Sequence, residues 1–280
     1  MMNGMALTKR ASAAAALIAA GLALAAAESK LLTLPLRTRV EAFKGSGDFR
    51  ETTITERIQP ARAALILCDL WDKHWCDSAT ERTGALAQKT APMVEALRNA
   101  GVLIIHAPSD TMNYYANAPQ RLNMLALSQA EPPAAIALTD PPLPIDDSDG
   151  GCDTANNQLP VNYHAWSRQH PAIRIAPNDL ISDNGREVYS ALQLRGIKTL
   201  FVAGVHTNMC ILNRTFAIRQ MTKWGLRCIL IRDLTDAMYN PARRPFVAHE
   251  AGTQLVIEHI EKYWAPTVTS SELMRALKEN

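Results

Sequence analysis

The sequence has no excess of charge of either sign: 29 lysines and arginines stand against 27 aspartates and glutamates, a net of +2. Nothing in it suggests a broad basic face for nucleic acid or for an anionic membrane, so a small molecule is the expected partner. It also lacks any C-x-x-C pair among its five cysteines, Cys68, Cys76, Cys152, Cys210 and Cys228. A zinc ribbon and a thioredoxin-type redox motif are thereby excluded. No internal repeat is present, which excludes an array of small stacked units.

What is present is 280 residues with 48% apolar content, enough for one large domain with a substantial core. The N-terminus is unlike the remainder. Positive charge in "LTKR" (7–10) precedes the Ala-rich run "ASAAAALIAAGLALAAA" (11–27), which reads as a secretory signal peptide cleaved after Ala27. The mature chain is then exported and free of the membrane; an uncleaved anchor and a disordered leader are the alternatives. In an oxidising compartment an odd number of cysteines leaves at least one unpaired. Cys68 and Cys228 lie in apolar runs, whereas Cys76 and Cys152 lie in polar, loop-like sequence where a disulfide between them is open.

Short apolar runs alternate with helical stretches. Strands are predicted at 63–69, 102–108, 172–176, 199–204 and 227–233, and helices at 85–100, 187–195, 212–224 and 245–264, with a final strand at 267–270. Runs of four to seven apolar residues separated by helices indicate a parallel sheet buried on both faces. The expected fold is α/β: a three-layer sandwich with a mainly parallel, doubly wound, Rossmann-like sheet. Residues 28–59 read as a β-hairpin extension around "KGSG", ahead of a domain over 60–280. Residues 131–162, rich in Pro, Asp and Gly, are too long for an ordinary connection, and such loops are usually active-site cover or disordered.

In an open parallel sheet ligands bind beyond the C-terminal ends of the strands. That rule brings Asp69, His106 with Asp110, and the segment from His206 to Cys210 to one edge. Cys210 is expected near the first turn of a helix, where free N–H groups favour a thiolate and could stabilise an oxyanion. It reads equally as a buried packing cysteine. Asp69 ends a core strand and can act as general base, or it caps the following turn. Trp71, His74 and Trp75 could wall a pocket or tuck under their own loop. Tyr114, Tyr115 and Arg121 form a candidate second wall, with Asn208 and Arg214 as further substrate contacts.

Taken together, "LILCDLWD", "LFVAGVHTNMC" and "LIRDLTDAM" resemble the isochorismatase-like cysteine hydrolases, which include nicotinamidases and carbamoyl-amide hydrolases, over roughly residues 60–260. The resemblance implies a parallel sheet flanked by helices and an Asp, Lys, Cys triad that opens a C–N bond through a thioester. Asp69 takes the base position and Cys210 the nucleophile position. It implies a cis peptide between Val205 and His206, with Val205, His206 and Met209 shaping the oxyanion turn. It also implies a homo-oligomer.

Two departures stand out. The family's lysine is expected where this chain reads "AIRIAPND", yet no lysine occurs between Lys89 and Lys198. Arg174, Asn178, Lys73 and Arg168 are the available substitutes, although a guanidinium is a poor proton-transfer partner. The Asp-x-His pair of nicotinamidases is broken too, because Asp110 is followed two residues later by Met112. His74, His106 and His206 lack ligand spacing, so no metal and no cofactor are expected. Three functions remain open: an exported hydrolase of an amide or related C–N bond using Cys210; a cysteine-independent hydrolase of a vinyl ether using Asp69, as in some family members; and a binding protein that has lost catalysis.

Overall fold

The computed structural model describes residues 31–279, and the leader read over residues 1–27 lies outside the described residues. Leu32–Glu41 (β1) and Phe49–Ile58 (β2) form an antiparallel hairpin. Ala63–Cys68 (β3), Asp77–Asn99 (α1), Leu103–Ala107 (β4) and Pro119–Leu125 (α2) follow. Next come Leu180–Ile181 (β5), Gly185–Leu194 (α3), Thr199–Val205 (β6), Cys210–Asn213 (α4) and Ile218–Lys223 (α5). Arg227–Asp236 (β7), His249–Tyr263 (α6), Thr267–Val268 (β8) and Ser270–Lys278 (α7) complete the chain.

The eight strands make one sheet in the order β2-β1-β8-β7-β6-β3-β4-β5. From β8 to β5 neighbouring strands run parallel, and only the hairpin at the other edge is antiparallel, joined to β8 through Arg37 opposite Thr267. The strand period of two explains the three layers. Ala64, Ile66 and Cys68 of β3 face a cluster with Val188 and Leu192 of α3, Met221 of α5 and Ile260 of α6. Ala63, Leu65 and Leu67 point to the opposite face, against Met93 and Leu97 of α1 and Leu273 of α7. A strand apolar at every position is what two-sided burial demands.

Two elements differ from the expectation. Residues 172–176 are not a strand. The Ala176 N–H donates to the Asp179 carboxylate at 2.7 Å and the Asp179 N–H to the Ala176 carbonyl at 3.1 Å. This turn takes backbone groups that a ladder would need, and the strand forms later, as β5. The helix expected over 212–224 is broken into α4 and α5. Gly185 is the cause: its N–H donates to Thr215 Oγ1 at 3.0 Å, and a Cβ on it would come within 2.1 Å of the Thr215 carbonyl oxygen. The chain therefore leaves the helix at Arg214, whose backbone is extended (φ −60°, ψ 146°).

Residues 131–162 contain no helix or strand and form a strap. A disulfide between Cys76 and Cys152, with Cα atoms 5.6 Å apart, ties the strap to the start of α1; Cys68, Cys210 and Cys228 are free. A cross-link closing a loop of this length restricts the unfolded chain. The double variant Cys76→Ser/Cys152→Ser is expected to lose about 2–4 kcal/mol of stability in urea titrations. A loss below about 1 kcal/mol would show that the strap's non-covalent contacts suffice.

Candidate active site

The chain passes from β3 outward to β4 and β5, then returns to place β6 on the other side of β3. The strand order reverses between β3 and β6, and the crevice of a doubly wound sheet opens beyond that point. Asp69 follows β3 directly, and Cys210 is the first residue of the helix after β6. The two strand ends approach closely because Gly204 sits opposite Cys68 with φ +124°, and a Cβ there would lie 1.9 Å from the Cys68 carbonyl oxygen. No other residue fits that position. The next peptide, Val205–His206, is cis.

Asp69 is buried, with a left-handed backbone at φ 50°. Its Oδ1 accepts the Ser109 N–H at 2.7 Å and its Oδ2 accepts Arg214 Nε at 3.0 Å. The Cys210 thiol follows the adjacent strand and lies within electrostatic reach of this carboxylate. The Arg214 Nη2 continues to the Asp110 carboxylate at 3.2 Å. Burial raises the Asp69 pKa, opposed by the Arg214 charge, the neighbouring Cys210 thiol and the Ser109 N–H. Burial also pushes the Cys210 thiol up, and the Asp69 charge pushes it further, while Arg214 and a hydrogen bond from the His206 N–H act in the other direction. The resting group is therefore a neutral thiol beside a buried carboxyl group.

Aromatic rings lie alongside. Trp71 stacks on Trp166, just beyond the strap, at 4.2 Å between centroids and donates its Nε1 hydrogen to the Ser109 carbonyl. His74 stacks on Trp166 and meets His206 edge-on at 4.8 Å. Burial brings His74 down to about 4, aided by Arg82, and places His206 well below its ordinary value, aided by His74 and Arg82, so both rings are neutral. The buried Nε2 of His206 and Nε1 of Trp166 have no hydrogen-bond partner among the described residues. Trp75 packs with Cys76, Ala79 and Met238, and Met209 lies against the same cluster.

Four candidates from the sequence are placed elsewhere or otherwise engaged. Both ring nitrogens of His106 are taken, Nδ1 by Gln169 at 2.7 Å and Nε2 by Asp179 at 2.9 Å, so this histidine braces the fold and has no atom for substrate. Asn208 is spent on scaffolding: its amide donates to Asp147 and to the Met238 carbonyl and accepts the Met238 N–H. The Met209 N–H is bonded to the His206 carbonyl at 3.0 Å and is not free for an oxyanion. Tyr114 is exposed, and its hydroxyl accepts from Arg168.

Two of the proposed substitutes for the lysine are likewise occupied. Arg174 pairs with Glu95 on the surface, and Arg168 with Tyr114 and Asp72. Asn178 lines a cavity of about 310 Å³ beside the start of β4 with Arg98 and Arg195. Arg121, read as part of a pocket wall, pairs with Glu187. The cation at Asp69 is Arg214, and its neighbour Ser109 carried no signal beyond following a strand end.

No family model matches the chain, and no curated protein sequence matches it. Among solved structures, a cysteine hydrolase from Pseudomonas syringae pv. phaseolicola aligns over 79% of this chain and 95% of its own, at 18% identity and a TM-score of 0.50. An isochorismatase family protein from Burkholderia thailandensis aligns over 78% and 96%, at 16% identity and a TM-score of 0.44. The chain has the isochorismatase-like fold.

The His106 brace makes a prediction of its own. Asp179 is brought down from 3.8 to about 2: burial alone would raise it, and hydrogen bonds from His106, Arg98 and the Ala176 N–H outweigh that. A carboxylate with a lowered folded-state pKa stabilises the fold above its unfolded pKa and loses that contribution as pH falls through the folded value. About 2 kcal/mol should therefore disappear from the stability between about pH 5 and pH 2. Asp179→Ala should cost about 3–5 kcal/mol at pH 7 in urea titrations and flatten this part of the pH profile; an unaltered profile would refute the assignment.

Proposed function

We propose that the protein is a hydrolase that opens an amide or related C–N bond of a small molecule through a thioester on Cys210. The buried Asp69 carboxylate, paired with Arg214, and Cys210 stand at the ends of the adjacent parallel strands β3 and β6, where the strand order reverses, and this placement carries the reading. The fold shared with a structure described as a cysteine hydrolase supports it.

As the sulfur attacks the carbonyl carbon, its proton passes to Asp69, so the thiolate is generated only as it is consumed. The carbonyl oxygen becomes an oxyanion. The Cys210 N–H, at the first helical position, has no acceptor within the helix and is the nearest donor for that charge. When the C–N bond breaks, Asp69 returns the proton to the leaving nitrogen. Water then attacks the thioester with Asp69 again as base, releasing the acid and restoring the thiol. The neutral wall of Trp71, His74, Trp166 and His206 suits a planar, uncharged group such as an amide, with the unpartnered His206 and Trp166 nitrogens available to it.

We further propose that the protein works outside the cytoplasm. The Cys76–Cys152 bond supports this, since such bonds persist in oxidising compartments.

Release of ammonia or amine from a panel of small primary amides and ureido compounds tests the main reading, with Cys210→Ala as control. Cys210→Ala should lower kcat by at least about 10³-fold, and wild-type protein quenched during turnover should carry the acyl mass on the Cys210 peptide. Full turnover by Cys210→Ala would remove the nucleophile and favour cleavage by Asp69 alone. Binding without turnover by the wild type would favour a binding protein.

A further inference from the structure

The helix break at Arg214 puts a cation where the sequence offers no lysine. Had residues 212–224 formed one helix, Arg214 would have continued along its surface. Instead the close contact of Thr215 with Gly185 turns the chain out after Asn213. The Arg214 side chain then lies between two carboxylates, Nε on Asp69 at 3.0 Å and Nη2 on Asp110 at 3.2 Å, and is 31% exposed.

We infer that Arg214 does the work of the absent lysine: it fixes the Asp69 carboxylate in the orientation that receives the Cys210 proton and keeps that carboxylate charged. The inference rests on the hydrolase reading above.

The groups facing Asp69 are few. Cys210 comes from α4, Arg214 from the segment after it, the Ser109 N–H from the loop after β4, and Cys68 from β3, while Asp110 lies on the far side of Arg214. One fixed cation therefore stands against one buried anion. Negative charge moves from the carboxylate to the sulfur and on to the carbonyl oxygen as the S–C bond forms, and a guanidinium beside it offsets that charge throughout. A guanidinium does not release a proton at any working pH. The single transferable proton thus shuttles between Cys210, Asp69 and the leaving nitrogen. Binding of the guanidinium by both Asp69 and Asp110 fixes its plane, and with it the carboxylate that it holds.

Arg214→Gln and Arg214→Lys separate charge from orientation. Two readouts are needed: the Asp69 carboxyl titration by ¹³C NMR, its signal identified with Asp69→Asn, and hydrolysis of p-nitrophenyl acetate, corrected by Cys210→Ala. Arg214→Gln should raise the Asp69 midpoint by at least about one pH unit and move the acid limb of the Cys210-dependent rate with it, with at least about a tenfold loss near neutrality. Arg214→Lys keeps the charge but not the fork, so the midpoint should stay within about half a unit while the rate still falls several-fold. Should Arg214→Gln fail to fold, Arg214→Lys alone decides, and an unchanged rate overturns the orienting role. An Asp69 midpoint that does not move in folded Arg214→Gln, with Cys210-dependent hydrolysis in the wild type, overturns this inference alone. A shifted midpoint in a protein with no Cys210-dependent hydrolysis overturns the hydrolase reading and this catalytic role with it.

Discussion

A buried carboxylate sets the terms for the rest of the site. Asp69 lies beyond the last residue of a fully buried strand, where an unpaired charge would cost several kcal/mol. Two donors converge on it, the Ser109 N–H after β4 and Arg214 after α4, and the Cys210 thiol stands beside it after β6. Each needs its own backbone arrangement. Asp69 takes a left-handed conformation, Gly204 lets β6 approach β3, and Gly185 lets Thr215 break the helix. The geometry around Cys210 is thus largely the set of backbone accommodations that bring a cation and an N–H to one buried carboxylate.

A second charged cluster joins the strap to the turn before Cys210. Arg82 of α1 binds Asp153, next to Cys152 in the strap, and Asp236 at the end of β7. Asp236 also accepts His249 Nε2 at 2.9 Å, and its carbonyl accepts the Thr207 N–H at 2.9 Å. Asp147 of the strap holds Asn208, two residues before Cys210. The disulfide fastens the strap covalently at the same point. A long polar segment that buries little apolar surface would otherwise stay open at its ends; here an ion pair, a hydrogen bond and one covalent bond tie it to α1 and to the turn before Cys210.

The sheet was legible in the sequence because two-sided burial leaves runs such as "AALILC" and "TLFVAG" with no polar interruption, and helices of ordinary length separate them. The failures have local causes. "AIRIA" has the pattern of a strand, but the carboxylate of Asp179, three residues further on, captures its backbone, a side-chain effect that periodicity does not register. His106 ends a strand at the right edge, yet strand position does not say which neighbours its ring will meet, and Gln169 and Asp179 come from far along the chain.

Arg214 was hidden for a related reason. An arginine four residues after a candidate nucleophile, in a stretch that reads as helix, is ordinarily solvated, and its turn inward depends on a glycine 29 positions earlier. The missing lysine pointed to a gap in the charge balance, and the gap had to be filled from somewhere, because Asp69 without a cation would be driven toward its neutral form. In a buried site, then, the absence of an expected charge is itself information. It says that some residue with no motif of its own must reach the same carboxylate, and it narrows the search to side chains long enough to arrive from a neighbouring segment. A lysine extending from the preceding strand end and an arginine folding back from beyond the nucleophile meet the same electrostatic demand. They differ in what they allow afterwards: an arginine keeps its proton at any working pH, so in the reaction proposed for this site the aspartate is the group left to carry one.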